Sequence, residues 1–346
     1  MSEHPNRDGA GAFSRPAAIH HVTDAASGLD AWLVLHDVTL GPAFGGIRFC
    51  AYPDADAARE DALGLARQMA WKCALAGLPA GGGKVVVHAD RLIDRPAACA
   101  ALGEFIQELG GQFRTAGDLG ATADDVRAIQ ARTGYIVDAS RLEGLADAVA
   151  AGLVAAMDAL AERLESDLAS CSVLVQGAGS IGGSLLRRLV GRGVRPQVAD
   201  PDPAALARAL EFPGTVEVAP DQALHQEVAI LAPCAVGGVI DLQAAERLRC
   251  QAVAGGANRI LAEPAAGQRL WKRRIWYAPD FLVNAGAVIE GVFQALRGRP
   301  AGEREVARIG ERLEALLVEA LERDLPPEQV AMERAERLIL EARKAR

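Results

Sequence analysis

The sequence has no CxxC pair among its six cysteines and no HExxH-type set among its six histidines. Disulfide frameworks and zinc sites use such paired spacings, so scattered cysteines indicate reduced, mostly buried thiols in a cytoplasmic protein. The histidine pair His20-His21 falls on a predicted strand, where neighbouring side chains point to opposite faces. We therefore expect no metal site, no disulfide and a cytoplasmic location.

The chain also lacks an excess of positive charge and a long apolar run. Its net charge is -8, whereas binding to nucleic acid requires a basic face. The longest uncharged apolar stretch, Ala148–Met157, is well short of the roughly 18 residues that a membrane span needs. Residues Met1–Asp8 are polar and lack the apolar core of a signal peptide. We therefore expect neither nucleic acid nor a membrane as a partner.

The order of predicted elements indicates an α/β fold with two domains, which 346 residues are enough to form. After Ser172, short apolar strands alternate with helices, and this alternation is typical of a parallel, doubly wound sheet covered on both faces. We predict a mobile tail at 1–15, a first α/β domain at 16–144, a second at 145–300, and C-terminal helices at 301–346 that pack on the first domain or on another subunit.

A glycine-rich turn follows the first strand of the second half. The strand Val173–Gln176 runs into Gly177-Ala178-Gly179-Ser180-Ile181-Gly182, a G-x-G-x-x-G sequence, and a helical pattern continues from it. The glycines permit a tight turn and bring a pyrophosphate to the helix N-terminus, where N–H groups favour anions. Strand, turn and helix together predict a Rossmann-type dinucleotide-binding domain at 145–300. The alternative is a purely structural glycine turn.

The acidic residue that accompanies this signature is Asp200, 18 residues after Gly182, at the end of the second strand. A carboxylate there binds the ribose diol and repels a 2′-phosphate, so we predict NAD in preference to NADP. Arg192 and Arg195 lie nearby in the sequence and keep NADP open as an alternative.

The first half contains a triple glycine followed at once by a lysine. Gly81-Gly82-Gly83-Lys84 precedes three valines, a pattern typical of a glycine loop that enters a buried strand. Lys84 then lies at the junction of loop and strand, where partial burial lowers its pKa. Lys72, within a predicted helix over Asp54–Ala76, and Asp118 complete a set suited to amine and carbonyl chemistry. The alternative for each lysine is an exposed, solvated charge.

Several motifs occur in a recognisable order along the chain. In the first half they are Gly41-Pro42-Ala43-x-Gly45-Gly46-x-Arg48, Met69-Ala70-Trp71-Lys72, Gly81-Gly82-Gly83-Lys84 and Gly117-Asp118. In the second half they are Ala232-Pro233-Cys234-Ala235-x-Gly237-Gly238, Val253-Ala254-Gly255-Gly256-Ala257-Asn258 and Ala278–Gly286. Over roughly residues 18 to 300 the sequence resembles the glutamate/leucine/phenylalanine/valine dehydrogenases, and the smaller leucine and phenylalanine types are nearest in length.

The resemblance implies a role for each matching residue. Lys72 matches the lysine that binds the substrate carboxylate, Lys84 matches the catalytic lysine, and Asp118 matches the catalytic aspartate. Asn284 matches an asparagine that touches substrate near the nicotinamide, and the Gly45-Gly46 pair matches glycines that line the pocket. The implied cofactor contacts are Gly177, Gly179, Ser180, Ile181, Gly182, Asp200, Pro233, Cys234, Ala235 and Asn258.

The activity that the resemblance implies is reversible, NAD-dependent oxidative deamination of an apolar L-amino acid to a 2-oxo acid and ammonia, in a homo-oligomer. Lys84 would act as the general base that activates the attacking water, with its pKa lowered further by Lys72. Asp118 would exchange a proton with the amino group. Substrate is expected on the first domain, against a nicotinamide held by the second.

The sequence departs from the family pattern around the pocket. Gly117 replaces the Glu or Pro usual before the aspartate, and Ala121 and Ala287 replace a threonine and a glycine. The segment 138–144 is short, and Val149 stands where a pocket threonine is expected. Two other readings therefore stay open: a homologue that binds NAD(H) without efficient turnover, and a reductase of another imine or carbonyl on the same fold.

Overall fold

The chain forms two compact units in its structure, a computed structural model that describes Phe13, residues 15–137 and residues 142–345. Of these residues, unit 1 comprises those up to Leu142 together with those from Arg334 onward, and unit 2 comprises Glu143–Glu333. The C-terminal helical segment is thus divided between the two units.

Phe13 is a buried residue inside the predicted N-terminal tail. It is 1% exposed, and its ring lies 4.8 Å from that of His36 and 6.4 Å from that of Trp71. Aromatic rings at these separations pack favourably. The prediction of a mobile tail at 1–15 is therefore wrong at this residue, while residues 1–12 and 14 lie outside the described part of the chain.

Unit 1 is built on a five-stranded mixed sheet. Its strands are β1 (Ala18–Asp24), β2 (Leu29–Asp37), β3 (Ala43–Cys50), β4 (Gly81–His88) and β5 (Phe113–Gly117), and its first helices are α1 (Ala55–Leu75), α2 (Arg95–Glu108) and α3 (Ala123–Gln130). The strand order is β1-β2-β4-β3-β5. β2 is antiparallel to β1 and β4, whereas β3 is parallel to β4 and β5.

Alternating side chains of β4 belong to the two opposite faces of this sheet. Val85 and Val87 pack in one buried cluster with Leu102 of α2. Val86 packs in another cluster, with Leu65 of α1. Because side chains alternate along a strand, Lys84 lies on the same face as Val86, which is the face covered by α1.

The glycine run Gly81–Gly83 forms the first part of β4, so the prediction of a loop here was wrong. None of the three glycines has a positive φ. Instead, a Cβ at Gly81 would lie 1.9 Å from the Asp37 carbonyl oxygen, and a Cβ at Gly82 would lie 2.0 Å from the Ala70 nitrogen. The missing side chains allow close packing, and Lys84 therefore lies within a strand and not at a junction.

Two helix starts in unit 1 follow from their capping residues. The Thr122 side chain accepts the Asp125 N–H, and the Asp125 carboxylate accepts the Thr122 N–H, so a capping box begins α3. Asp54 accepts the Ala57 N–H at the start of α1. The predicted beginning of the helix that carries Lys72 is confirmed.

Unit 2 contains a six-stranded parallel sheet, which confirms the predicted fold class. Its strands are β6 (Val173–Gln176), β7 (Gln197–Ala199), β8 (Val216–Glu217), β9 (Ile230–Pro233), β10 (Ala252–Val253) and β11 (Trp276–Tyr277). Their order is β11-β10-β9-β6-β7-β8, with every neighbouring pair parallel. The order reverses between β6 and β9, and ligands of such sheets bind at the carboxyl ends of the strands at that point.

Nine further helices begin in the described residues after 141. They are α4 (Leu142–Arg163), α5 (Ser180–Gly191), α6 (Pro203–Leu210), α7 (Leu242–Arg247), α8 (Pro264–Lys272), α9 (Asp280–Val283), α10 (Gly286–Arg297), α11 (Glu303–Arg323) and α12 (Pro327–Lys344). By length and composition alone, Gly144–Arg163 could cross a membrane. However, Leu153, Met157 and Leu160 are fully buried, as in the core helix of a globular unit.

Glu328, in the first turn of α12, is a carboxyl group with a raised pKa. Burial and the charge of Asp280 raise the pKa of Glu328 from 4.5 to about 7. Its protonated form therefore stabilises the folded state, and this stabilisation is lost as the pH rises from 4.5 through 7. We expect Glu328→Gln to increase the free energy of unfolding at pH 8.5 by about 1–3 kcal/mol relative to wild type, with a smaller gain at pH 5.

Urea unfolding of both proteins at the two pH values checks this expectation. Glu322→Gln is the matched control, because Glu322 is exposed near the end of α11. An effect of Glu328→Gln that does not change with pH would contradict the assignment.

Candidate active site

Lys84 and Asp118, 34 residues apart in the sequence, form an ion pair in unit 1. Lys84 Nζ lies 2.5 Å from Asp118 Oδ2. Lys84 projects from the middle of β4 and is 5% exposed, whereas Asp118 directly follows β5 and its side chain is 25% exposed. The two predicted catalytic residues are therefore brought together, with the carboxylate more accessible than the ammonium.

Gly45 and Gly46 of β3 face opposite sides of the sheet. A Cβ at Gly46 would lie 2.7 Å from Asp118 Cβ and 3.4 Å from Lys84 Nζ. A Cβ at Gly45 would instead lie 1.7 Å from the Gly83 carbonyl oxygen. Gly46 thus makes room for the ion pair, while Gly45 allows the backbones of β3 and β4 to approach.

The charge of Asp118 is stabilised by two cations. Burial alone would raise its pKa, but the charges of Lys84 and Arg48 hold the pKa of Asp118 well below its usual value. Arg48 Nε lies 3.3 Å from Asp118 Oδ2, the same oxygen that Lys84 contacts. Asp118 is therefore ionised throughout the neutral range. The predicted lowering of the Lys84 pKa stays a prediction.

Lys72 lies in the last turn of α1 and is partly exposed. The helix packs closely on β4, because Ala70, two residues earlier, occupies the space next to Gly82. This packing puts the turn that carries Lys72 on the face of the sheet to which Lys84 belongs. The predicted role of Lys72 in binding a carboxylate stays a prediction.

The glycine-rich turn of unit 2 connects β6 to α5. Gly177 has a φ of +94°, and a Cβ there would lie 2.7 Å from the Ala235 Cβ. A Cβ at Gly182 would lie 1.8 Å from the Gly177 carbonyl oxygen, whereas a Cβ at Gly179 would enter open space. Gly179 also has no side chain to cap the first N–H groups of α5, which begins at Ser180. Open space beside an uncapped helix N-terminus fits a pyrophosphate.

Asp200 lies beside this turn, as the sequence signature requires. Its Oδ2 accepts the Ala178 N–H at 2.6 Å and its Oδ1 accepts the Asp202 N–H at 2.8 Å. Each carboxylate oxygen has two acceptor sites, so capacity for ribose hydroxyls remains. Arg192, one of the two arginines that kept NADP open as an alternative, is held by both oxygens of Asp158 at 2.9 and 3.1 Å.

Pro233, Cys234 and Ala235 occupy the carboxyl end of β9, next to the glycine turn. The Cys234 N–H donates to the Gln176 carbonyl oxygen at 2.7 Å. Burial raises the pKa of the Cys234 thiol to about 12, so it is not a nucleophile at neutral pH. A Cβ at Gly256 would contact both Ile181 and Cys234, which puts these predicted cofactor-site residues in one cluster.

Asn284 is a buried side chain whose amide orientation is set by its neighbours. Its Nδ2 donates to the carbonyl oxygens of Gly256 and Ala257 and to Asn258 Oδ1, at 2.9 to 3.3 Å. Its Oδ1 is buried and has no hydrogen-bond partner among the described residues. Asn284 and Asn258 are therefore brought together, and Asn284 offers an acceptor to a ligand N–H.

Val149, the residue predicted to replace a pocket threonine, is buried in α4. Its backbone nitrogen lies 2.6 Å from the position of a Cβ at Gly286, so the backbone of α4 passes close to the segment that follows Asn284. Within the shortened segment 138–144, residues 138–141 lie outside the described residues.

Two glycines of the turn in unit 2 are expected to have different roles, Gly179 in binding the dinucleotide and Gly182 in stabilising the fold. We expect Gly179→Ala to weaken NADH binding about tenfold with little change in stability, because its methyl group enters the space assigned to the pyrophosphate. We expect Gly182→Ala to lower the free energy of unfolding by about 2 kcal/mol or more, because its methyl group meets backbone. NADH fluorescence titration and thermal unfolding of both variants check this. Unchanged binding in Gly179→Ala would contradict the pyrophosphate position.

Arg48 was quoted in a motif, but sequence reasoning gave it no role. Its guanidinium contacts Asp118 and also Asp61 of α1, at 3.2 Å from Nη1 to Oδ2. The available signal was its spacing of two residues from Gly46 on a strand, which puts both on one face. The partner residues are 70 and 13 positions away, and sequence spacing does not reveal such contacts.

Comparison with known proteins gives consistent matches along the chain. Residues 16–141 match the model "Glu/Leu/Phe/Val dehydrogenase, dimerisation domain", and residues 204–323 match "Glutamate/Leucine/Phenylalanine/Valine dehydrogenase". The leucine dehydrogenase of Geobacillus stearothermophilus is 40% identical, over 93% of this chain and 90% of the relative. The phenylalanine dehydrogenase of Bacillus thermotolerans is 37% identical, over 77% of this chain and 73% of the relative. The crystal structure of L-tryptophan dehydrogenase from Nostoc punctiforme aligns with a TM-score of 0.83 at 32% identity, covering 97% of this chain and 99% of that one.

Proposed function

Because the chain belongs to the glutamate/leucine/phenylalanine/valine dehydrogenase family and is an amino acid dehydrogenase, we propose that it catalyses NAD-dependent oxidative deamination of an apolar L-amino acid. The products are the 2-oxo acid and ammonia, and the reaction is reversible. The observation that carries this proposal is the ion pair of Lys84 and Asp118 beside Gly46.

Lys84 and Asp118 supply the proton transfers of the reaction. Asp118, ionised beside two cations, accepts a proton from the substrate ammonium group. Lys84, once deprotonated, removes a proton from the water that attacks the substrate iminium carbon, and Lys72 binds the substrate carboxylate. A dinucleotide held at the Gly177–Gly182 turn beside Asp200 would supply the acceptor for the hydride of the substrate α-carbon. Asn284 Oδ1 suits an N–H donor of the ligand, because its Nδ2 is already engaged.

NAD is the proposed cofactor because Asp200 lies against the glycine turn and Arg192 is engaged by Asp158. A carboxylate at that position repels a 2′-phosphate. Turnover with NAD and with NADP tests this choice directly, and equal or better turnover with NADP would overturn the argument from Asp200.

We also propose an apolar substrate and a cytoplasmic homo-oligomer. The named relatives act on leucine, phenylalanine and tryptophan, and Val149, which stands where a pocket threonine was expected, is a buried apolar residue. All six cysteines are free, and five of them are buried. The family model over residues 16–141 describes a dimerisation domain, which supports self-association.

The experiment that tests the function is oxidation of NADH with a panel of 2-oxo acids, aliphatic through indolic, each with and without ammonia. Consumption that requires ammonia establishes the dehydrogenase and identifies the side chain it accepts. Consumption without ammonia would indicate a carbonyl reductase. No consumption, with NADH still bound, would indicate a dinucleotide-binding homologue without turnover.

A further inference from the structure

Arg48 joins the catalytic carboxylate to a second carboxylate on α1. Its Nε contacts Asp118 Oδ2 at 3.3 Å and its Nη1 contacts Asp61 Oδ2 at 3.2 Å. The Tyr52 hydroxyl donates to the same Asp61 oxygen at 2.7 Å. Arg48 and Asp61 each have side chains only 16% exposed. These four residues form a connected network that we call the Arg48 network.

We propose that Arg48 is a positioning residue for Asp118, and that Asp61 and Tyr52 hold Arg48 in its place. The proposal rests on the function proposed above, because it assigns Asp118 a proton transfer. It goes beyond that function by assigning Arg48, Asp61 and Tyr52 the control of the orientation of the catalytic carboxylate.

The geometry supports positioning because Arg48 and Lys84 contact one oxygen of Asp118 from two different strands. Arg48 lies on β3 and Lys84 on β4, and both contacts end at Oδ2. A guanidinium is a planar fork with donors in fixed directions. Anchoring one branch on Asp61 therefore determines where the other branch meets Asp118, and so how the carboxylate is turned.

The electrostatics of the network act in the same direction. Burial would lower the pKa of Arg48, but the charges of Asp118 and Asp61 raise it, so Arg48 stays charged. Burial and the hydrogen bond to Asp61 raise the pKa of Tyr52 well above its usual value, so its hydroxyl stays protonated and remains a donor. The network therefore keeps one arrangement of charges across the pH range in which an enzyme of this kind is assayed.

The strongest test is Arg48→Gln in the full-length enzyme. Removing one of the two cations next to Asp118 raises the pKa of its carboxyl, but Lys84 still keeps it ionised in the neutral range, so the pH profile of kcat/KM for the amino acid keeps its shape. At the optimum we expect kcat to fall about 10- to 100-fold, while NADH binding is unchanged. Arg91→Gln is the matched control, since Arg91 pairs with Asp30 elsewhere in unit 1, and its profile should stay as in wild type.

Two further variants separate positioning from charge. Arg48→Lys keeps the cation but loses the two-branched fork, so it should leave the pKa of Asp118 as in wild type and kcat low. Tyr52→Phe removes one hydroxyl from the far end of the network and should lower kcat about 3- to 10-fold with KM and melting temperature unchanged. Full kcat in both variants would overturn the proposal, and Tyr52→Phe decides the matter if Arg48→Gln does not fold.

An infrared titration makes the result independent of turnover. The difference between the infrared spectra of wild type and Asp118→Asn isolates the carboxyl stretch of Asp118. The same difference spectrum in the Arg48→Gln background should show protonation of Asp118 at higher pH than in wild type. A wild type without ammonia-dependent turnover would defeat the proposed function, while this titration would still test the positioning role. If Asp118 has the same pKa in wild type and in Arg48→Gln, and kcat is also unchanged, the proposed role of Arg48 is overturned.

Discussion

Replacing Lys84 by alanine is expected to lower kcat for oxidative deamination by about 10²- to 10⁴-fold, the range that a positioned general base contributes. Lys84 Nζ lies 2.5 Å from Asp118 Oδ2, so its amine is held directly against the carboxylate. Asp118→Asn keeps the shape but removes the proton acceptor, and we expect a loss of the same order. Initial rates with saturating amino acid and NAD measure both effects.

The loss must come from chemistry and not from unfolding or cofactor release. Removing one partner of a largely buried ion pair destabilises the fold by about 3–5 kcal/mol at most, so each variant needs a melting curve and an NADH titration. NADH affinity should be retained, because the predicted dinucleotide contacts lie in unit 2. Lys272→Ala, at an exposed lysine of α8, is the matched control with full activity. Wild-type turnover in a folded Lys84→Ala protein would refute the assigned role.

Gly82→Ala is expected to destabilise unit 1 by about 3 kcal/mol or more. The added Cβ would lie 2.0 Å from the Ala70 nitrogen, 2.5 Å from the Ala70 Cα and 2.6 Å from the Ala66 carbonyl oxygen. These atoms are the backbone of α1, which cannot rotate away as a side chain can. The helix must move off β4, and Lys72 moves with it. Chemical denaturation followed by circular dichroism measures the loss.

Gly134→Ala is the matched control for this substitution. A Cβ at Gly134 would have nothing within 4 Å, and its φ is not positive. We expect its stability to stay within about 0.5 kcal/mol of wild type. Equal stability of Gly82→Ala and Gly134→Ala would show that α1 does not pack against β4 as the structure has it.

Local patterns predicted the helix that carries Lys72, the strand Val173–Gln176 and the alternation of strands and helices after it, while β5 and β8 were not predicted and the start of β4 was wrong. The capping box at Thr122 needs only residues three positions apart, so the sequence contains all of its information. The strand Phe113–Gly117 is short and ends in alanine and glycine, which gives little periodicity. The glycines of β4 carry no side-chain preference of their own. Their strand conformation depends on Asp37, Ala70 and Phe113, which pack where a Cβ would be.

The sequence by itself determined the family, the α/β class and the dinucleotide turn, because strand, G-x-G-x-x-G and helix are contiguous and their geometry is local. Only the tertiary structure decided how charges meet across strands. It put Lys84 on a strand beneath α1, joined it to Asp118, and gave Asp118 a second cation from 70 residues away. Such contacts depend on strand order and on which face each residue takes, and neither is determined by residues adjacent in the chain.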